Sequence, residues 1–132
     1  MEDSNLESSL RRMQSRYGCR LTAATLGEDG VVAWDGRRFL HSAAYRVPVV
    51  DTTGAGDIFR AGFIYGLLRD WPLDRLLDFS CAAGALNCTA AGARGGIQPV
   101  SVLEQLMSTG RRYGTTRDQC QEPWLISEER SA

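Results

Sequence analysis

A short segment near the middle of the chain combines small residues with a carboxylate in a way that suits phosphate chemistry. Gly54, Ala55 and Gly56 directly precede Asp57, and an apolar stretch follows. Because free N–H groups at a helix N-terminus attract anions, this turn can hold a phosphate on its backbone. A carboxylate beside the phosphate is poorly suited to bind it but can take a proton from an attacking hydroxyl. The segment therefore predicts phosphoryl transfer to an alcohol, with Asp57 as the base and the preceding amides as an anion hole.

The composition of the 132-residue chain excludes several other chemistries. All fifteen basic residues are arginine, so neither a Walker-type phosphate loop nor a Schiff-base lysine is available. His41 is the single histidine, which excludes a site of several histidine ligands. A net charge of −1 with dispersed arginines argues against nucleic-acid binding. No apolar run approaches the roughly 20 residues of a membrane span, and the spacing of the four cysteines favours free thiols in a cytoplasmic protein.

The elements that lead into this turn follow from periodicity and turn residues. Apolar residues at three- and four-residue steps predict a helix over 4–17, with Gly18 as its C-terminal stop. Alternating and β-branched segments then predict strands over 21–26, 31–34 and 37–44. Asp35 and Gly36 supply a hairpin turn between the last two. A short antiparallel ribbon is therefore expected before the turn, with His41 in an exposed, structural role on its edge strand.

The elements that follow the turn are predicted to be helices separated by a glycine-rich loop. A helix over 54–69 has almost no polar face, so we expect it to be buried inside a larger fold. Its Gly62 and Gly66 allow another element to approach closely. The remaining elements are a helix over 73–88 with a small-residue face, a loop over 91–96 and a helix opened by a Ser101–Glu104 capping box. We therefore predict one domain over 1–109 and a polar, disordered tail over 110–132.

The segment from Asp51 to Asp57 (DTTGAGD) resembles the C-terminal signature of the ribokinase-like carbohydrate kinases, the phosphofructokinase-B family. The resemblance covers about residues 18–108. Residues 25–30 are similar to the family's nucleotide-binding turn, and the loop near 91–96 is similar to a segment that closes over adenine and lines a cation site. The resemblance implies an α/β fold of the ribokinase-like (Rossmann-like α/β/α) type, of which this chain supplies the C-terminal nucleotide-binding half.

The resemblance also implies a role for individual residues. Asp57 is implied as the catalytic base, and the anion hole would receive the γ-phosphate of ATP, with Mg²⁺ on the phosphates. Nucleotide contacts are implied for Thr25, Gly27, Gly30, Asn87 and Gly92. A monovalent cation such as K⁺ would be held by the Asp51 side chain and by carbonyls of Thr53, Ala91, Arg94 and Gly96. Val100 stands where a hydroxyl residue often completes that cation site. Arg60, one turn after the base, is assigned a packing or surface role.

The implied reaction is transfer of the ATP γ-phosphate to a sugar hydroxyl, and the full-length form is expected to be a homodimer. The family's sugar-binding motifs and its N-x-x-E motif precede the region of resemblance, and we expect them to be absent from this chain. Two alternatives to a sugar kinase therefore stay open. The first is a non-catalytic nucleotide-binding module, and the second is a nucleoside kinase of the same family. We also expect it to expose apolar surface and to self-associate.

Overall fold

The structure is a computed structural model that describes residues 3–113. Its elements in chain order are α1 (Asp3–Tyr17), β1 (Thr22–Thr25), a 3-10 turn (Gly27–Asp29), β2 (Val31–Trp34), β3 (Phe39–Ser42), α2 (Ala55–Leu68), α3 (Leu73–Asn87) and α4 (Val100–Thr109). Each predicted helix and strand is present within about three residues of its expected bounds. Among the described residues, none of the helices combines the length and the apolar character that a membrane crossing requires.

The three strands form an antiparallel sheet in the order β1-β2-β3. All four residues of the central strand β2 are buried, because it is covered on both faces. Val32 and Trp34 pack with Leu10 of α1 on one side, while Val31 and Ala33 join the main core with α3 on the other. The hairpin turn between β2 and β3 forms as predicted. The sheet thus carries the 3-10 turn at one end and faces α3.

α2 and α3 pack closely because small residues lie at their interface. A β-carbon on Gly62 would lie 3.2 Å from the Cα of Ser80 and 3.3 Å from the Cβ of Ala83. A β-carbon on Gly66 would lie 2.9 Å from the Cγ of Leu76. The prediction that both glycines admit a neighbouring element is confirmed. This helical pair positions the predicted anion-hole turn, which precedes α2, against the loop that follows α3.

The outer face of α2 is exposed, so the prediction that this helix is buried on nearly all sides is wrong for the described residues. Ile64, Leu67 and Leu68 are 55%, 51% and 81% exposed. The reason is that α3 covers one side of the helix, and the described residues provide no second layer for these apolar side chains. The expectation that the chain exposes apolar surface is confirmed, whereas self-association stays a prediction.

The last described segment differs from the prediction in two respects. α4 begins at Val100 directly after Pro99, without a side-chain cap, so the predicted Ser101–Glu104 capping box is wrong. Residues 111–113, which were assigned to the tail, pair with the segment after β3: Arg46 N–H donates to the Arg111 carbonyl at 2.6 Å. The packed part of the chain therefore extends past 109, and residues 114–132 lie outside the described residues.

Candidate nucleotide and anion-hole site

The turn before α2, which is the predicted anion hole, places backbone amides at the start of a helix. Gly54 is the N-cap residue of α2 and has a left-handed backbone, with φ of 77°. The Ala55 N–H donates to the Thr52 carbonyl at 3.2 Å. The amides of Gly56 and Asp57 follow in the first turn, where no carbonyl of the same helix lies within reach. A phosphate at this helix end would meet these amides and the positive end of the helix dipole.

Asp57 projects from the first turn of α2 into solvent, with 82% of its side chain exposed. Its Oδ1 lies 3.2 Å from Nη1 of Arg60, whose side chain is 70% exposed. An exposed pair of this kind contributes little to stability. The predicted surface position of Arg60 is correct, and its guanidinium contacts the candidate base. The carboxylate is therefore accessible to a substrate hydroxyl.

Asp51 connects the anion-hole turn to the glycine-rich loop after α3. Its Oδ1 accepts hydrogen bonds from the Oγ1 of Thr53 at 2.6 Å and from the N–H of Thr53 at 2.9 Å. Its Oδ2 accepts one from the N–H of Gly92 at 2.9 Å. These bonds, with the Thr53 hydroxyl first, lower the pKa of Asp51 to about 2. The side chain therefore stays ionised and fixes the loop against the turn.

Asn87, at the end of α3, is fully buried and its amide contacts backbone atoms of the same two segments. Its Nδ2 donates to the carbonyls of Thr53 at 3.1 Å and Ala93 at 3.0 Å. Its Oδ1 accepts from the N–H of Gly96 at 3.3 Å. Neither Asn87 nor Gly92 lines the cavity described next. Their predicted contact with nucleotide stays a prediction, and in this structure both residues hydrogen-bond to the segments around the turn.

A cavity of about 410 Å³ joins the predicted nucleotide turn to the start of α2. Thr25, Gly27 and Gly30 line one side of it, and Ala55 and Gly56 line the other. The turn is fixed by backbone hydrogen bonds, since Leu26 N–H donates to the Gly30 carbonyl at 2.7 Å and Gly30 N–H to the Gly27 carbonyl at 3.1 Å. The volume is typical of small-molecule sites. Two segments far apart in sequence therefore meet at one pocket.

Several cavity residues were not predicted from the sequence: Tyr45, Val47, Val49, Phe59, Cys88 and Tyr113. For Val47 and Val49, the apolar residues on both sides of Pro48 were the sequence signal that could have indicated a cavity wall. Tyr113 has no such signal, because its position depends on Arg112. The Nη2 of Arg112 donates to Asp78 Oδ1 at 2.7 Å and to Ser42 Oγ at 2.8 Å. This cluster holds the end of the described chain beside the cavity.

The cysteines near the cavity are unsuited to nucleophilic chemistry. Cys81 and Cys88 are buried free thiols, as the sequence predicted. Burial raises the pKa of Cys81 to about 11, and burial followed by the charge of Asp51 raises the pKa of Cys88. Both therefore stay protonated at neutral pH, so they are weak nucleophiles.

The oxygens expected to hold a monovalent cation already accept hydrogen bonds from the protein in this structure. The Asp51 oxygens accept three, and the Thr53 carbonyl accepts one from Asn87. The Arg94 carbonyl accepts one from the Ile97 N–H at 3.3 Å, and Ala91 lies in an exposed stretch of the loop. The cation site therefore stays a prediction.

Comparisons with known proteins agree with this geometry. The sequence model of the pfkB family carbohydrate kinases matches residues 2–99. Fructoselysine 6-kinase of Escherichia coli K12 is 37% identical over 92 residues, which cover 70% of this chain and 35% of that protein. Ribokinase of Lactococcus lactis is 34% identical over 96 residues, covering 73% and 32%. The crystal structure of Thermotoga maritima ribokinase superposes with a TM-score of 0.72 at 26% identity, covering 79% and 35%. The chain thus spans about a third of the length of the curated relatives that it matches.

Proposed function

This chain belongs to the pfkB family of carbohydrate kinases, and we propose that it binds ATP and supplies the base and the anion hole for phosphoryl transfer to a sugar hydroxyl. The observation that carries the proposal is the cavity between the turn at Thr25–Gly30 and the first turn of α2. The proposed orientation of the nucleotide places its phosphates toward Gly56, which lines the cavity. Asp57 follows Gly56 in sequence but lies outside the cavity lining, with an exposed side chain, so the proposed base would meet the terminal phosphate at the edge of the cavity.

In the proposed reaction, a hydroxyl oxygen of the acceptor forms a bond to the γ-phosphorus. The bond from that phosphorus to the bridging oxygen breaks, and ADP leaves. Asp57 takes the proton of the hydroxyl, a role that typically contributes 10²- to 10⁴-fold to the rate. The amides at the start of α2 stabilise the charge on the transferred group. Mg²⁺ bound to the ATP phosphates would neutralise part of their charge.

The acceptor class rests on the relatives, whose names describe kinases of fructoselysine and ribose. We propose a sugar or a sugar-like acceptor and a cytoplasmic location, which agrees with the free thiols of Cys19, Cys81 and Cys88. A nucleoside acceptor is the second possibility that the assay below includes. The implied homodimer stays a prediction.

The test replaces the base and a matched aspartate. Asp57→Asn removes the proton acceptor while keeping the shape of the side chain. Asp74→Asn is the control, since Asp74 also lies in the first turn of a helix, is 71% exposed and has an arginine within 3.8 Å. We expect Asp57→Asn to retain ATP binding in calorimetry and to lose at least a hundredfold in acceptor-dependent ADP release, with Asp74→Asn unchanged.

Acceptors are a panel of ketoses, aldoses, sugar phosphates and adenosine. Equal turnover by both variants would refute the role of Asp57. If the wild-type chain binds ATP but shows no turnover with any acceptor, the result would instead support the non-catalytic nucleotide-binding module. Absence of ATP binding would overturn the proposal as a whole.

A further inference from the structure

The anion hole depends on the glycine-rich loop that packs behind it. A β-carbon on Gly54 would lie 2.7 Å from the carbonyl oxygen of Ala93 and 2.9 Å from its Cα. The loop backbone therefore contacts the residue that opens the first turn of α2. A group that fixes the distance between Thr53 and Ala93 therefore also fixes the direction of the backbone amides that follow Gly54, because Gly54 lies between Thr53 and these amides in sequence.

The side-chain amide of Asn87 lies between these two segments. Its orientation is determined by its partners, because carbonyls only accept and an N–H only donates. The carbonyls of Thr53 and Ala93 therefore face Nδ2, and the N–H of Gly96 faces Oδ1. Asn87 has no exposed surface, so these bonds are made in a protected environment, where breaking one leaves a buried polar group unsatisfied.

Two carbonyl oxygens that converge on one point repel each other unless a positive group lies between them. A potassium ion satisfies such oxygens when they replace its hydration shell. The Asn87 amide does so with two N–H groups, at 3.1 Å from the Thr53 oxygen and 3.0 Å from the Ala93 oxygen. Of these two oxygens, that of Thr53 also belongs to the predicted cation ligands. Val100, where the family often has a hydroxyl, is partly buried against the core and supplies no oxygen from its side chain.

We propose that the Asn87 amide takes the place of a monovalent cation in this protein and holds the anion hole in its binding geometry without K⁺. The inference rests on the proposed function, since the turn is taken to be an anion hole. Asn87 is a positioning residue: it acts through the Thr53 and Ala93 carbonyls and does not touch the nucleotide.

The first measurement compares the wild-type chain in KCl and in tetramethylammonium chloride at equal concentration. We expect the same thermal unfolding midpoint and the same calorimetric Kd for MgATP in both salts. A saturable stabilisation by K⁺ alone would overturn the proposal, because a ligand that binds only the folded state stabilises it by mass action. The unfolding midpoint does not depend on ATP, so failure to bind ATP in either salt would refute the proposed function and leave this comparison informative.

The second measurement uses Asn87→Ala, which removes both donors. In tetramethylammonium we expect MgATP affinity to fall roughly ten- to hundredfold, and in KCl we expect most of it to return. Ser80→Ala is the matched control, because Ser80 is equally buried on α3 and donates to the Leu76 carbonyl at 2.7 Å, away from the site. It should lose stability without any response to K⁺. A purely structural role for Asn87 would make the two variants behave alike.

Asn87→Asp provides a second variant in case the alanine chain does not fold. It keeps the size of the side chain and the acceptor for Gly96 but replaces the donors with a carboxylate oxygen. We expect a potassium-dependent unfolding midpoint for this variant. If neither variant responds to K⁺, the proposal is wrong. If neither folds, the wild-type comparison between the two salts still decides it.

Discussion

Replacing Gly54 with alanine tests whether the contact between the turn and the loop shapes the site. Gly54 has φ of 77°, a conformation that residues with a β-carbon adopt at a cost of about 1–2 kcal/mol. The added β-carbon would also lie 2.7, 2.9 and 3.0 Å from three atoms of Ala93, two of them backbone atoms. Neither backbone can move aside without breaking the hydrogen bonds of Asn87. We therefore add about 1–3 kcal/mol for crowding to the backbone cost in the free energy of unfolding.

Gly92→Ala is the matched control for this substitution. Gly92 has φ of 84° in the same loop, but a β-carbon there would meet no atom within 4 Å. Its N–H would still reach Asp51 after the change. Gly92→Ala should therefore cost about 1–2 kcal/mol, whereas Gly54→Ala should cost about 2–5 kcal/mol from both terms. The difference between the two variants isolates the crowding.

The assay is urea unfolding of both variants, followed by calorimetric titration with MgATP. We expect Gly54→Ala to raise the Kd at least about tenfold, since a displaced first turn that loses 1.4 kcal/mol of interaction with the phosphates already has that effect. Gly92→Ala should leave the Kd within about twofold. Equal losses of stability and affinity in the two variants would refute the reasoning, because the shared backbone penalty would then explain everything.

Two further predictions concern pH and association. Burial, followed by the charge of Arg112, lowers the pKa of His41 from 6.5 to about 4. Between these two values the unfolded chain takes up a proton that the folded chain does not. The urea unfolding midpoint should therefore be highest above pH 6.5 and should fall as the pH drops from 6.5 to 4. His41→Gln, whose amide can still donate to the Asp29 carbonyl, should show a smaller slope, and an identical slope would contradict this origin. For the exposed face of α2, the double variant Ile64→Glu and Leu68→Glu should reduce self-association in sedimentation velocity. Its unfolding midpoint should fall by no more than a few degrees. A wild-type chain that sediments as a monomer at all concentrations would contradict the prediction.

The local elements of this protein could be predicted from the sequence because their signals are local. Gly18, Gly54 and the Asp35–Gly36 turn each act within one or two turns of backbone, and each ends or begins an element where expected. The close packing at Gly62 and Gly66 was also predictable, because glycines one turn apart on a helix leave a groove. The predicted anion-hole turn and its position at the start of a helix were predictable for the same reason, because their sequence signal is also local.

The supports of the site could not be predicted in this way. The resemblance implied a nucleotide contact for Asn87, which stays a prediction, but its hydrogen bonds to Thr53 and Ala93 could not be predicted, because sequence spacing does not show that Ala93 packs against Gly54. The place of Tyr113 depends on Arg112 reaching Asp78, 34 residues away in sequence. The apolar composition of α2 predicted burial on all sides, but exposure depends on what covers a helix, and α3 covers only one side. The capping box failed because Pro99 already starts α4.

The glycine-lined contact between α2 and α3 has a consequence for the order of folding. The side chains that fix the anion hole, Asp51 and Asn87, lie on the two outer ends of this helical hairpin. Once the helices dock, the segments that they join are already adjacent, so little further loop-closure entropy is lost in forming these bonds. Helical hairpins dock quickly, because most of their contacts are close in sequence. The predicted phosphate-binding turn can therefore assemble in the same step as the hairpin.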